Sequence, residues 1–233
     1  MNIKLLLPML FITLNAGAST FDDIEKRGLP LPDGGIKIVP LKKMPLLGVN
    51  SKTLMEAQRQ IKENGYYEVD NPQARVLMKM RYLEPLKAGS NNSADTNLKS
   101  TINDVGLAFH FDGIPVDSSS VVGFAAAGAY KNGWSGVTEI FTDNELGTCQ
   151  YTLNNIKLSH GSELIPQEIC RKDVNGKVTV IDVRGNANSG YVYSVHWADN
   201  NAMHDLKCAN LLFAKSNTAK LISLARKIDI KAV

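Results

Sequence analysis

The second half of the chain is punctuated at short, regular intervals, and this rhythm constrains the fold more than any other feature. Runs of β-branched and aromatic residues at 105–111, 137–142, 149–158, 169–174, 177–184, 191–197 and 206–213 are separated by turn residues. Runs of that length read as strands, and strands joined by tight turns pair antiparallel. Asn175 and Gly176 sit between two of them. A two-residue type I′ turn needs positive φ at both central positions, which Asn-Gly tolerates best, so this is the strongest hairpin signal in the chain. Asn154 and Asn155 mark a second turn or a bulge. A helix is expected over 217–228, with Leu221, Leu224, Ala225 and Ile228 facing inward. No internal repeat is found.

The first half reads differently. A short strand is expected at 36–41, placed at an edge by Pro40. Over 51–64 the residues Leu54, Ala57 and Ile61 recur on one helical face, Thr53 and Glu56 have capping-box spacing, and Gly65 follows. Beyond 66–69 and a turn at Asn71 and Pro72, the alternation of Val76, Met78, Met80 and Tyr82 predicts a strand over 74–83. Strand, helix and strand would form a crossover unit, right-handed if the strands pair in parallel. Residues 85–97 are rich in Ser, Asn and Gly and are expected to be mobile. Their sequon at Asn91, Asn92 and Ser93 reads as loop composition. The expected class is therefore α+β: a β-rich antiparallel sheet or sandwich with an N-terminal strand–helix–strand unit and a C-terminal helix.

The chain opens with a single basic residue, Lys4, an apolar run over 5–14, and the small residues Ala16, Gly17 and Ala18. That layout predicts a signal peptide over 1–18. The apolar run is about 10 residues where a spanning helix needs about 20, so no transmembrane span is expected in the mature chain. Residues 19–50 read as an extended arm and 51–233 as one domain, with a possible sub-boundary at 85–98. The net charge of +3 falls to +2 once Lys4 is removed. So balanced a chain offers no electrostatic footprint for nucleic acid. Export would place the chain in the periplasm, on the outer-membrane surface or outside the cell. There, two of Cys149, Cys170 and Cys208 can pair. Cys149 with Cys170 is the expected disulfide, ahead of Cys149 with Cys208, because it would join neighbouring strands. The third thiol is expected to be buried and inert.

Catalytic signatures are scarce. His110 and Asp112 stand two apart on an expected strand, while His196, Asp199, His204 and Asp205 cluster around a turn. His196, Asp199 and His204 are the candidate metal set, although neither the H-E-x-x-H helix nor a C-x-x-C spacing accompanies them. Gly133, Trp134, Ser135 and Gly136 fall short of G-x-S-x-G because Val137 follows. They read as a glycine turn with an exposed Trp. Glu139, Asp143 and Glu145 would serve a glycosidase only if set across a cleft. No Walker or dinucleotide glycine loop occurs, and no cofactor is expected.

The run VVGFAAAGAY at 121–130 is apolar, uncharged and dominated by small residues. It reads as a buried or close-packed strand, or else as a small-residue surface that docks on a partner or inserts shallowly into a membrane. Gly123, Phe124, Tyr130 and Trp134 are the candidate interaction residues. Tyr66, Tyr67, Tyr191, Tyr193 and Trp197 are equally compatible with core or binding surface.

The order of helix, GYYEVDNPQARVLMKMRYLE, polar loop, Gly/Ala-rich run, β-rich half and closing helix resembles the TraT family of outer-membrane surface-exclusion and complement-resistance proteins. The likeness is carried by Gly65, Tyr66, Val69, Asp70 and Pro72, by 123–130 and by the final helix. Members of that family are lipoproteins, and this chain has no cysteine before Cys149. The resemblance implies a non-enzymatic surface interaction. Residues and resemblance together lead to the expectation of an exported, non-enzymatic protein that binds a protein or envelope component. The alternative is a secreted hydrolase, metal-assisted through His196, Asp199 and His204.

Overall fold

The computed structural model describes residues 35–43, 51–85, 98–117 and 120–231. The expected signal peptide, most of the expected arm and the polar loop with its sequon lie outside these residues. Ten strands and four helices follow in the order β1 (Ile36–Val39), α1 (Ser51–Asn64), β2 (Tyr67–Glu68), α2 (Pro72–Met80), β3 (Val121–Tyr130), β4 (Trp134–Asp143), β5 (Gly147–Asn155), α3 (Ile156–Ser159), β6 (Glu163–Pro166), β7 (Arg171–Val174), β8 (Lys177–Asn186), β9 (Gly190–Ala198), β10 (Ala202–Asn210) and α4 (Lys215–Lys231). The fold is α+β and β-rich. Eight strands form one mixed sheet in the order β2-β8-β9-β10-β5-β4-β3, with β7 also on β8, while β1 and β6 pair in parallel as a separate two-stranded sheet. Among the described residues no helix is long and apolar enough to cross a membrane.

The hairpin signal is realised. Asn175 and Gly176 take φ of 46° and 79°, and Val174 pairs with Lys177 across them. Asn155 makes no hairpin. Its side-chain oxygen accepts from Leu158 N–H at 3.1 Å and caps α3, the other common use of Asn beside a strand.

Two expected strands are corrected. Residues 74–80 lie in α2 instead and 81–83 follow it as a turn, because Asn71 accepts from Gln73 N–H at 3.2 Å and Pro72 occupies the first helical turn, both start signals for a helix. Helical spacing puts Ala74 and Leu77 together against Val192 and Ala209 of the sheet, leaving Val76 exposed. The alternation at 76–82 was thus accidental. The 105–111 run is a 3-10 turn at Ile102–Val105 followed by irregular chain. Its one ladder contact is Leu107 beside Trp134. The crossover unit does not form either, since β1 pairs with β6 and β2 with β8, in different sheets.

The register sorts the sheet into two faces. On one lie Phe141, Tyr151, Tyr193, Val195, Trp197 and Leu206, packed by Leu221, Ala225 and Ile228 of α4 and by Phe109, Phe111 and Ile114. Each large apolar side chain buried there contributes about 1.5–3 kcal/mol. The other face is apolar at its ends, under α2 and around Ile156, Ala198 and Met203. Its middle carries Asp182 and Ser194, both buried. Strand β9 is buried at every position, as a central strand covered on both faces must be.

The disulfide joins Cys149 to Cys208, not Cys170. The reason is strand order: β5 neighbours β10, and Cys149 stands directly opposite Cys208. Their Cα atoms are 4.0 Å apart, nearer the ~4.5 Å of a non-hydrogen-bonded pair than the ~5.5 Å of a bonded one. Cys170 precedes β7, on the far side of β8. It is half-buried and its Sγ contacts Pro166 O at 3.2 Å, with burial pushing the thiol pKa up.

Candidate functional site

Polar side chains enter the apolar face at one end, where β8, β9 and β10 meet the last turn of α4. Asp229 lies one helical turn beyond Ala225 on the stripe α4 presents to the sheet, and is 4% exposed. It accepts from Lys177 Nζ at 2.7 Å, from Trp197 Nε1 at 2.9 Å and from Asn175 Nδ2 at 2.9 Å. Lys177 also donates to Asp199 at 2.9 Å. Burial alone would lower the lysine's pKa, but these two carboxylates raise it on balance. Burial would raise Asp199, and its bond from Lys177 brings it below the usual carboxylate value.

His204 continues the chain of contacts. Its Nε2 is 4.0 Å from Asp199, its Nδ1 is 2.7 Å from the Tyr151 hydroxyl, and its ring stacks on Trp197 at 4.8 Å. Burial pulls its pKa down to about 4, with Asp199 opposing. The ring is therefore neutral at pH 7. With the proton assigned to Nε2, facing Asp199, Nδ1 accepts from Tyr151. A general base needs access to substrate and a pKa near the working pH. His204 is 3% exposed and Tyr151 and Trp197 are fully enclosed, so this network fastens α4 to the sheet.

Glu139 stands opposite Tyr151 on the same face and is 1% exposed. Burial pushes its pKa up to about 7, offset in part by the Ile114 N–H that its carboxylate accepts and by the more distant Lys231. Asp182, on the other face, is raised to about 6 by burial against the pull of Arg184.

The candidate metal set does not assemble. In the antiparallel register His204 faces Trp197 while His196 faces Asp205, so the two histidines point to opposite sides of the sheet. Asp199 and His204 are brought together; His196 lies instead against buried Glu163, Nε2 to Oε1 3.0 Å. Among the described residues no group of three or more His, Cys, Asp or Glu could hold a metal ion. His110 and Asp112, expected on one strand face, lie instead on exposed irregular chain, 3.0 Å apart. Of the three acids suited to a glycosidase, Asp143 accepts from the Glu145 and Leu146 N–H groups of its own turn, Glu145 pairs with Lys220, and Glu139 is enclosed. Ser135 is buried and accepts from Ala129 N–H at 2.8 Å. Tyr191, Tyr193 and Trp197 belong to the core.

The run at 121–130 is β3, the terminal strand of the large sheet. One edge pairs with β4. Along the other edge Phe124 exchanges both backbone hydrogen bonds with Lys99, at 2.6 and 2.8 Å. Alternate residues of a strand direct their backbone groups to the same side, so Ala126 also points outward. Among the described residues it has no backbone partner there. Gly123 lies under the covered part, where a Cβ would come within 2.7 Å of Leu98 and of Lys99 O. Tyr130 closes the strand, 68% exposed and edge-on to half-buried Trp134 at 5.2 Å. Of the four residues singled out in this region, Tyr130 is the one that stands clear of the surface.

Sequence reasoning passed over Lys177, Asp229, Tyr151 and Ala126. Asp229 carried a signal, an acid at the helical spacing of the inward stripe. Comparison with protein-family models, with curated proteins and with solved structures finds no match to this chain.

Proposed function

We propose that this chain is an exported, non-enzymatic binding protein that docks an extended segment of a protein or envelope component along the outer edge of β3. The observation that carries this is the backbone beyond Phe124, which no described residue pairs on its outer side. Soluble proteins guard long sheet edges with inward charges, prolines, bulges or a covering segment. Here the ten-residue strand has no charge and no proline. Among the described residues its devices are the Lys99 bridge and a bulge between Ala127 and Tyr130. The side chains from Ala125 to Gly128 are minimal, so another backbone can approach without displacing anything. Strand addition draws affinity from main-chain hydrogen bonds, and an amphipathic ring such as Tyr130 at the end of the strand adds contact area. The enclosure of the His204 network and the separation of His196 from it weigh against a hydrolase built on His196, Asp199 and His204. The resemblance to the TraT family points to the same kind of non-enzymatic surface role, in the periplasm, at the outer membrane or beyond it.

The test is a photo-crosslinking residue in place of Tyr130 in producing cells, with and without Ala126→Pro. Proline removes the outward N–H and is tolerated on an edge strand. Adducts to a defined partner that vanish with Ala126→Pro, while the disulfide and circular dichroism are retained, are the expected result. Adducts unaffected by the proline would overturn edge docking, and an adduct of twice the mass would identify a second copy as the occupant.

A further inference from the structure

At the end of the β3–β4 hairpin a cleft of about 250 Å³ opens between the turn and α3. Lys131, Asn132 and Ser135 line it from the hairpin, and Lys157, Leu158 and His160 from the other side. Three of these six side chains are basic, and among the described residues no acidic side chain lines the cleft. Lys131 and Lys157 take part in no ion pair among the described residues. Ser135 is 2% exposed and accepts from Ala129 N–H through its oxygen. Its proton therefore remains available to donate into the cleft.

We infer that this cleft binds a phosphate group. Two ammonium groups lining one cleft repel each other, and a multiply charged oxyanion relieves that repulsion. Lysine serves phosphate well as a point charge, and hydroxyl and amide donors complete its shell. The cleft is smaller than the roughly 300–1,000 Å³ of sites for drug-sized ligands. It suits a phosphate and its point of attachment, with Leu158 as the apolar wall. The same chemistry is offered by a free phosphorylated compound and by a lipid headgroup. The site shares no residue with Ala126, so its failure and that of edge docking are read separately.

The experiment follows backbone amide shifts during titration with inorganic phosphate, at ionic strength held constant with sodium chloride. Saturable shifts at residues 131–135 and 157–160 are expected. Lys131→Glu with Lys157→Glu should weaken binding roughly tenfold or more, whereas Lys172→Glu, an exposed lysine outside the cleft, should leave it unchanged. Sedimentation with phosphatidic acid and with phosphatidylcholine vesicles separates the sources. Retention on the former alone, lost in the double variant, assigns a headgroup; saturation by phosphate without retention assigns a free compound. Absence of both, or equal weakening by Lys172→Glu, overturns the site.

Discussion

Replacing Glu139 with Gln should stabilise the protein at high pH and leave it unchanged in acid. The carboxyl is enclosed opposite Tyr151, and its pKa stands at about 7 against an ordinary 4.5. Between those two values the native state binds a proton that the unfolded chain has released. Stability from this group therefore falls as pH rises through the window. At about 1.4 kcal/mol for each tenfold change in proton affinity, the cost above pH 7 is roughly 3 kcal/mol. Gln keeps an oxygen for Ile114 N–H, fills the same volume and carries no charge, so the variant escapes that cost. Urea unfolding at pH 8 should show Glu139→Gln more stable by up to roughly 3 kcal/mol, with the difference vanishing by about pH 4.5. A gain of equal size at both pH values would assign the effect to packing. A variant less stable at pH 8 would mean the ionised carboxylate is favourable, and the desolvation argument would be refuted.

His204 carries the opposite sign. Its pKa is lowered from 6.5 to about 4, so its contribution is present above pH 6.5 and lost as pH falls toward 4. His204→Gln should remove roughly 3 kcal/mol of acid sensitivity in that window, measured by the same unfolding series. Asp229→Asn should cost about 3–5 kcal/mol and broaden the Trp197 indole resonance, because it leaves Lys177 half-paired in a buried setting. Reducing the Cys149–Cys208 bond, which closes a sequence separation of 59 residues, should cost about 4 kcal/mol in chemical denaturation, and a Cys170→Ala variant should lose nothing comparable. Gly147→Ala should cost more than about 1 kcal/mol in thermal unfolding, since φ is +89° and a Cβ would meet Ala209 O at 2.3 Å.

Strands β4, β5, β8, β9 and β10 were legible because each buries at least one face and is bounded by turn residues, so periodicity and punctuation agree, whereas β6 at Glu163–Pro166 was not read. Residues 74–83 were not, because Val76, Met78 and Met80 alternate by chance. The cap at Asn71 and Pro72 outweighed that pattern, and both residues were visible in the sequence. The disulfide partner was hidden for a different reason. Pairing follows strand order, and nothing local in 149–158 or 206–213 states that β10 lies beside β5 when β6 to β9 intervene in the chain. The histidine cluster failed on pleat parity: residues 196 and 204 are close in sequence, but their parity across the β9–β10 turn sends them to opposite faces. The edge of β3 was half legible, since composition marked the segment as unusual and only topology made it terminal.

The position of β10 in the sheet also sets the order in which the molecule can be assembled. Strands β3, β4 and β5 form one ribbon and β7, β8 and β9 another, each from chain-local hairpins that close quickly. They have no strand pairing to each other except through β10, which spans Ala202–Asn210 near the end of the described chain. Until that segment arrives, a growing or threading polypeptide holds two separate ribbons with β5 and β9 as bare edges. Closure then occurs in one late step that pairs β10 on both sides, brings Cys208 opposite Cys149 and leads directly into α4. A chain cut just before residue 202 should thus lose the whole sheet and not merely one strand, and the waiting edges are where such a fragment would aggregate.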